Sequence, residues 1–398
     1  MRSRRTALVT STALLALGLL AAPTAATASA SPATPVAPTV TSSPTDVTSY
    51  QQDARHDGAS TGAVSRTATR VWSRSLGTAV SYPVVAGNTV YVTVDDASAG
   101  TKLLALDKTT GRTVWGPVTI PGTYGFSAVT YANGRLFVLN FDGILRAYSA
   151  TDGTAQWSVV LPRQWSFDAP PVAAGSEVFV VGAGSGGTLY AVRQATGLLD
   201  WTQSVVNGQS AAPAVGSGSV YTSFACEWTQ AFTTSGLPRW TDNFGCEGGG
   251  GSTPVLSGDQ LWVREPFGMP GRVLSTADGS VRFTFDAAYA PAVAGRRAVT
   301  VSAQGARGLN AVTGRQVWVQ AGDGSLSTPA VIAGGVAYVG SLSGSVFGFD
   351  VVTGVPLWSG TAGAPVSVDD RNATVRTGLA VSGDTLLVPA SGTLVAFR

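Results

Sequence analysis

Ala105-Leu106-Asp107-Lys108-Thr109-Thr110-Gly111-Arg112-Thr113-Val114-Trp115 is the stretch on which the fold turns. Apolar alternation up to Leu106 gives way to polar turn formers and a glycine, and a tryptophan follows four residues later. Glycine supplies the positive φ that a tight hairpin needs, so the tryptophan lies near the start of the returning strand. The same pairing recurs as Gly153/Trp157, Gly197/Trp201, Gly236/Trp240, Gly279/Phe283, Gly314/Trp318 and Gly354/Trp358, and an unpaired Trp72 precedes them. Successive aromatics from Trp72 are 43, 42, 44, 39, 43, 35 and 40 residues apart. A period of that size marks a repeat architecture. Eight aromatics mark eight units.

A second landmark runs in phase with the first. Pro83-Val84-Val85, Pro171-Val172, Pro213-Ala214-Val215, Pro254-Val255, Pro291-Ala292-Val293 and Pro329-Ala330-Val331 each open a short apolar run. Units two and eight keep the pattern without the proline, in Ala128-Val129 and Leu379-Ala380-Val381. Each unit therefore parses into four short strands. The first follows the proline, the second is V-x-V-like, the third resembles Leu189-Tyr190-Ala191, and the fourth carries the aromatic. The expectation is an all-β, eight-bladed propeller of four-stranded antiparallel blades. Trp72, Trp115, Trp157, Trp201, Trp240, Phe283, Trp318 and Trp358 are expected to wedge between neighbouring blades, each burying on the order of 200 Å². Small residues ahead of the turn, Ala105, Ala147, Ala191 and Gly348, leave room for the rings. Phe283 has no indole N–H, so its junction is expected to lack a hydrogen bond.

The chain ends test the scheme. Residues 392–398 supply a third strand with no fourth after it, and residues 67–75 supply a fourth with no third before it. Pairing the two closes the ring and removes an open sheet edge. Upstream, residues 49–66 form a lead-in to a propeller spanning 67–398.

Composition sets limits on function. Only 12% of the 398 residues are charged, Lys102 and Lys108 are the only lysines, and His56 is the only histidine. A multi-histidine metal site and a Ser-His-Asp triad are therefore not expected. Residues 1–30 read as an export signal: basic Met1-Arg2-Ser3-Arg4-Arg5, an apolar stretch from Ala13 to Ala22, then small residues. Cleavage fits after Ala30 or after Ala28. Both the general secretory route and a twin-arginine route through Ser3-Arg4-Arg5-Thr6 remain open. Residues 31–48, rich in Pro, Ser and Thr, read as a linker. Losing the first thirty residues takes the formal charge from +2 to −1, which gives no broad claim on nucleic acid or anionic membrane. No apolar run is long enough for a transmembrane segment. A secreted monomer is expected.

The repeat at Ala105–Trp115, degraded in Ala147–Trp157 and Ala191–Trp201, resembles the tryptophan-docking motif of pyrroloquinoline-quinone (PQQ)-type propellers. Gln52-Asp53-Ala54-Arg55-His56-Asp57-Gly58 is similar to the short lead-in of such proteins. The superfamily includes quinoprotein alcohol dehydrogenases and the propeller lipoprotein of outer-membrane assembly. The resemblance covers residues 50–398 and concerns packing positions, so it speaks for fold rather than chemistry. A quinoprotein dehydrogenase would need a vicinal disulfide, calcium-ligating Glu, Asn and Asp, and a catalytic Asp. Here Cys226 and Cys246 are the only cysteines and lie twenty positions apart. No PQQ or calcium is therefore expected, and no catalytic residue is assigned.

In an exported chain, two cysteines read as a disulfide clasp, with two free thiols as the alternative. Gly182-Ala183-Gly184-Ser185-Gly186-Gly187 matches a dinucleotide-binding pattern in letters, but Leu189-Tyr190-Ala191-Val192 continues as strand, so a glycine-rich hairpin is expected. Asp95-Asp96 and Asp369-Asp370 read as solvated loop acids, with calcium ligation the alternative. Tyr124, Phe126, Trp165, Phe167, Trp228 and Phe267 lie outside the docking positions. They fall on the face of the second-to-third strand loops, with Asp168, Glu227, Arg264, Glu265 and Arg371 nearby. Two readings of this set stand: a face for a protein or carbohydrate ligand, or residues that plug the central channel and cover loops. The functional expectation is a non-catalytic binding or scaffold module. The alternative is a quinoprotein-like oxidoreductase, or a hydrolase or lyase built from loops.

Overall fold

The computed structural model describes residues 43–95, 100–224, 228–243, 250–264, 269–302, 304–367 and 376–398. The described residues form eight four-stranded antiparallel sheets, seven of them from sequential strands and one that takes its outer strand from Arg70–Ser75, and one of the seven gains a fifth, parallel strand. No described residue is helical, and none belongs to a helix long and apolar enough to cross a membrane. Blade 1 runs Val84–Ala86, Thr89–Asp95, Thr101–Asp107 and Thr113–Ile120. The innermost strands of successive blades touch one another around the axis. Strand direction alternates within a blade. The first-to-second and third-to-fourth turns therefore share one face, here the turn face, while the second-to-third hairpins and interblade connections share the loop face.

Apolar side chains fill both faces of second strands such as Thr89–Asp95, Arg135–Asn140, Glu177–Gly184 and Val336–Gly340, as strands covered on both sides require. The eight aromatics pack where the repeat places them. Trp72 of blade 8 lies on Gly111 of blade 1, Trp115 on Gly153, Trp157 on Gly197, Trp201 on Gly236, Trp240 on Gly279, Phe283 on Gly314 and Trp318 on Gly354. A Cβ on any of these glycines would stand within 2.4–2.8 Å of the ring, and every one has positive φ. The glycine thus answers two demands, a left-handed turn and an indole resting on its backbone. In each fourth strand the register shifts at the residue before the aromatic. That bulge re-aims the ring toward the next blade.

Each indole also donates a hydrogen bond across its junction. Trp72 Nε1 reaches Lys108 O at 2.8 Å, Trp115 reaches Ala150 O at 3.0 Å, and Trp157 reaches Gln194 O at 2.9 Å. Trp201, Trp240, Trp318 and Trp358 bond Thr234, Thr276, Val351 and Ala68 in the same way. At the Phe283 junction the indole bond is absent, yet the equivalent carbonyl is satisfied. Ala311 O accepts Gln260 Nε2 at 2.8 Å, from the second strand of blade 5. A buried carbonyl left alone is costly, and a side-chain amide from the neighbouring blade replaces the missing donor.

Ring closure follows the sequence-based scheme. Arg70–Ser75 is the fourth strand of blade 8 and pairs antiparallel with Thr393–Phe397, with Trp72 opposite Ala396 and Arg74 opposite Leu394. Thr69 and Arg398 exchange backbone hydrogen bonds of 3.0 Å beyond the strand ends.

The lead-in segment enters the central channel. One structurally equivalent residue sits second from the end of each innermost strand: Val85, Tyr131, Ala173, Val215, Leu256, Val293, Ile332 and Val381. Seven of the eight donate their backbone N–H to residues 47–58, the lead-in and the two residues before it. The acceptors are the carbonyls of Val47, Thr48, Ala54, Arg55, Asp57 and Gly58 and the side-chain oxygen of Gln52. The eighth, Ala173, points its N–H at Thr130 Oγ1 at 3.4 Å. Ala59–Ser60 then pairs parallel with Ile332–Ala333 of blade 7. The ring thus presents its inward amides to one polar segment, which serves as a plug. Asp46 already accepts Gly87 N–H of blade 1 at 2.8 Å, and Val47 after it is buried and bridged to Val85.

Candidate functional site

His56 lies at the centre of the plug, fully buried, with Nδ1 2.7 Å from Tyr50 O and Nε2 3.1 Å from Pro213 O. Burial lowers its pKa against the pull of those carbonyls and of Asp53. It ties the plug to the strand entry of blade 4. Next to it, Asp57 accepts Ala59 N–H at 3.0 Å and faces Arg55 Nη2 at 3.2 Å. Burial, and then the charge of Asp53, push Asp57 up to about 7 against the pull of Arg55.

That shift predicts a pH dependence. A carboxyl raised from its ordinary 3.8 favours the fold most when protonated, and the contribution fades as pH rises through about 7. Asp57→Asn should therefore gain stability relative to the parent at pH 8, on the order of 1 kcal/mol, and little at pH 4. His56 acts in the opposite sense, losing stability as pH falls below 6.5, but it is common to both proteins and cancels in the difference. Chemical denaturation at the two pH values measures it.

On the loop face the axis is closed by Arg376. Its guanidinium donates to Ser210 O at 3.0 Å, Asp168 O at 3.4 Å and Thr253 Oγ1 at 3.4 Å, and it lies 5.6 Å from the Tyr50 ring centroid. These partners precede the innermost strands of blades 4, 3 and 5, while Arg376 itself leads into blade 8, so the side chain crosses the centre of the ring. Asp168, 2% exposed, accepts Ser210 N–H at 2.8 Å and the Ser210 hydroxyl at 3.3 Å. The axial groups thus hold one another. They do not fit a quinone cofactor: Tyr50, Tyr82 and Arg376 fill the axis, and the chain has no adjacent cysteines. Among the described residues no three His, Cys, Asp or Glu side chains gather as metal ligands would.

The sequence-derived aromatics divide. Phe167 is 0% exposed and wedges between Gly143 and Gly182, where a Cβ would come within 2.3 Å of its ring, and it meets Tyr190 at 5.9 Å. It is a core residue, and so is Phe126. Trp228 is half-buried at the start of a third strand and packs on the core shared by blades 3 and 4. Arg264 is partly buried just past Val263. Tyr124 is exposed, edge-on to Phe141 at 4.6 Å. Trp165 remains the most displayed at 64% exposure. Glu227, Glu265, Phe267 and Arg371 lie outside the described residues, as do Cys226 and Cys246 with their expected disulfide, Asp96, and Asp369-Asp370.

Trp165 has a built seat. Its backbone N–H donates to Ala183 O at 3.2 Å, and its ring covers Gly184, where a Cβ would lie 2.8 Å from the indole. Gln164 beside it donates to Thr188 Oγ1 at 2.9 Å. Gly182–Gly187 is the tip of a long hairpin, Glu177–Gly184 with Gly186–Arg193, and no helix follows it. Interblade loops flank the hairpin, with Phe167 and Trp165 on one side and Asn207 against Gly187 on the other. The glycines make room for those loops. Sequence reasoning missed Arg376 and the plug's reach. The one signal for Arg376 was an arginine just ahead of an innermost strand.

The family model described as outer membrane protein assembly factor BamB matches residues 57–223 and 227–398. No curated protein matches the chain by sequence. Among solved structures, BamB from Moraxella catarrhalis is similar at 20% identity and a TM-score of 0.64, covering 83% of this chain and 98% of its own. Quinohemoprotein alcohol dehydrogenase from Comamonas testosteroni is similar at 12% identity and a TM-score of 0.68, covering 88% and 80%. A europium-containing methanol dehydrogenase aligns at 14% identity and a TM-score of 0.66, covering 87% and 89%. At such identities these likenesses speak for the fold alone.

Proposed function

The chain belongs to the family described as outer membrane protein assembly factor BamB, and from that premise we propose that it is an exported, non-catalytic scaffold that binds a protein partner through its loop face. The observation that carries the reading is the contrast between axis and rim. Plug and Arg376 fill the axis, and Asp168 is held by Ser210, whereas the rim holds up a fixed, exposed indole at Trp165. Large aromatics on rigid seats are favoured anchors in protein interfaces. A carbohydrate ligand would use the same indole by stacking, and the experiment separates the two.

Trp165→Ala should leave thermal stability within about 0.5 kcal/mol of the parent, as at surface sites generally. Trp228→Ala should cost about 2–3 kcal/mol, because it removes a ring packed on the core of blades 3 and 4. Cross-linking in the producing cell's envelope fraction, comparing the parent with Trp165→Ala, tests the partner. Loss of one specific protein adduct in the variant supports the proposal. Unchanged adducts, or retention on a glycan matrix lost in Trp165→Ala, would turn it toward the carbohydrate reading. Tight PQQ binding with calcium-dependent dye reduction would overturn it in favour of a quinoprotein oxidoreductase.

A further inference from the structure

The fourth strands of the blades form the circumference of the ring, and among the described residues no further strand pairs with any of them. Open edges invite stray pairing unless charge, proline or an irregularity blunts them. Most of these edges are blunted. Pro117 sits in the outer strand of blade 1, Asp200 in blade 3, Pro238 and Arg239 in blade 4, and Arg282 in blade 5. Blade 7 carries Pro356 and Gly360, and blade 8 carries Arg70 and Arg74. On blade 2, Arg135 reaches over to the outer strand and donates to Gln156 Oε1 at 2.6 Å. Blade 6 is the exception. Its outer strand, Gln316–Gln320, reads Gln-Val-Trp-Val-Gln, with no charge, proline or glycine. Trp318 is buried, while Val317 and Val319 are exposed. Arg307, opposite Val319 on the neighbouring strand, is held by Asp286.

Beside this edge opens a cavity of ≈ 640 Å³. Gln320 borders it from blade 6, and Phe347, Phe349 and Pro356 border it from blade 7. The two phenylalanine rings are stacked, 6.1 Å apart at 11°, and Phe347 is only half-buried, so the cavity has an apolar wall. Trp318 rests on Gly354 of blade 7 and Gln320 lines the cavity, so both face blade 7. Every second side chain of a strand added outside them would face the same way, into the cavity. Arg66 lines it too, from the approach to blade 8. Its side chain is exposed, and no hydrogen bond or ion pair among the described residues engages it. Asp350, the carboxylate that feels its charge, already accepts Val352 N–H, Thr353 N–H and the Thr353 hydroxyl. An unengaged guanidinium beside an apolar wall suits a carboxylate carried close to an apolar group.

We propose that the outer edge of blade 6 takes an extended segment of a partner polypeptide as a fifth strand. The segment's main chain pairs with Gln316–Gln320, a large apolar side chain enters the cavity against Phe347, and an Asp or Glu two or four residues along reaches Arg66. Main-chain pairing supplies affinity, while cavity and guanidinium select the sequence. The site lies on the circumference at blades 6 and 7, so it does not rest on the loop-face reading of Trp165.

Random peptides displayed on phage, selected on the full chain and counter-selected on Arg66→Glu, test it. Enriched peptides should carry a large apolar residue with an acid two or four positions away. A synthetic copy should bind about tenfold more weakly to Arg66→Glu, with affinity for the parent falling as salt rises. N-methylation of the peptide backbone should weaken binding about tenfold at alternate positions and leave it unchanged between them, because only every second amide of an added strand points at the edge. Deuterium exchange should slow at Gln316–Gln320 on binding and stay unchanged at Ala155–Val160. Melting of Arg66→Glu should match the parent, and binding should persist in Trp165→Ala, so failure here and failure of the loop-face proposal are told apart. No enrichment, enrichment of peptides without an acid, equal affinity for parent and Arg66→Glu, or tolerance of N-methylation at every position would overturn the proposal. So would protection of Gln316–Gln320 without peptide in a chain that sediments as a dimer, which would assign the edge to a second copy.

Discussion

Deleting residues 66–76 should abolish cooperative unfolding altogether. The segment contributes Arg70–Ser75, the fourth strand of blade 8, and with it Trp72, whose ring covers Gly111 and whose N–H bonds Lys108 O. It also carries Ala68, whose carbonyl takes the Trp358 indole, so the junctions on both sides of blade 8 are lost at once. Thr393–Phe397 would be left as an open edge, with its outward amides unpaired and Leu394 and Val395 uncovered. Losing the Trp72 wedge alone costs about 3–5 kcal/mol, against a total stability of roughly 5–15 kcal/mol, and Trp358 loses its acceptor besides. Calorimetry should show no single endotherm, and the variant should bind hydrophobic dyes. A truncated chain melting within a few degrees of the parent would refute the closure mechanism.

Gly153→Ala should destabilise by about 3 kcal/mol, far more than the same change at Gly175. Both glycines have positive φ, 74° and 61°, so both variants carry the left-handed penalty of about 1 kcal/mol. They differ in what the new methyl meets. At Gly153 it would lie 2.7 Å from the Trp115 ring, whereas at Gly175 no atom stands within 4 Å. The difference in denaturation midpoints isolates the cost of lifting one indole from its seat. Equal effects at the two positions would mean that the glycine serves the turn alone.

These glycines show how much was legible in the sequence and where legibility stopped. The Gly-to-aromatic spacing gave blade number, strand order and the closing strand, because repetition multiplies a weak local signal eight times. It gave the turn role of Gly111 and its counterparts but not the contact beneath the ring, since the partner lies in another unit some forty residues away. The Gln260 amide that replaces the indole bond at Phe283 was out of reach for the same reason: nothing local ties Gln260 to Ala311.

The candidate site was less legible. Trp165 and Phe167 are two residues apart with similar side chains, yet one is displayed and the other is sealed beneath Gly143 and Gly182. Alternation along an irregular connection decides which ring turns inward, and composition carries no record of it. The lead-in was legible as a segment but not as a plug: Gln52, His56 and Asp57 are buried because eight strands converge there with amides to satisfy.

The plug and closing strand also govern when the molecule can form. Arg74 must find Leu394 and Gln52 must find Val381, the latter pair 329 residues apart in sequence. During synthesis the first partner waits, solvated and unmatched, until the blades between them have emerged. Long sequence separations slow folding. Until Thr393–Phe397 is available to Arg70–Ser75 the ring stays an unclosed string of blades, and its closure is a single late event.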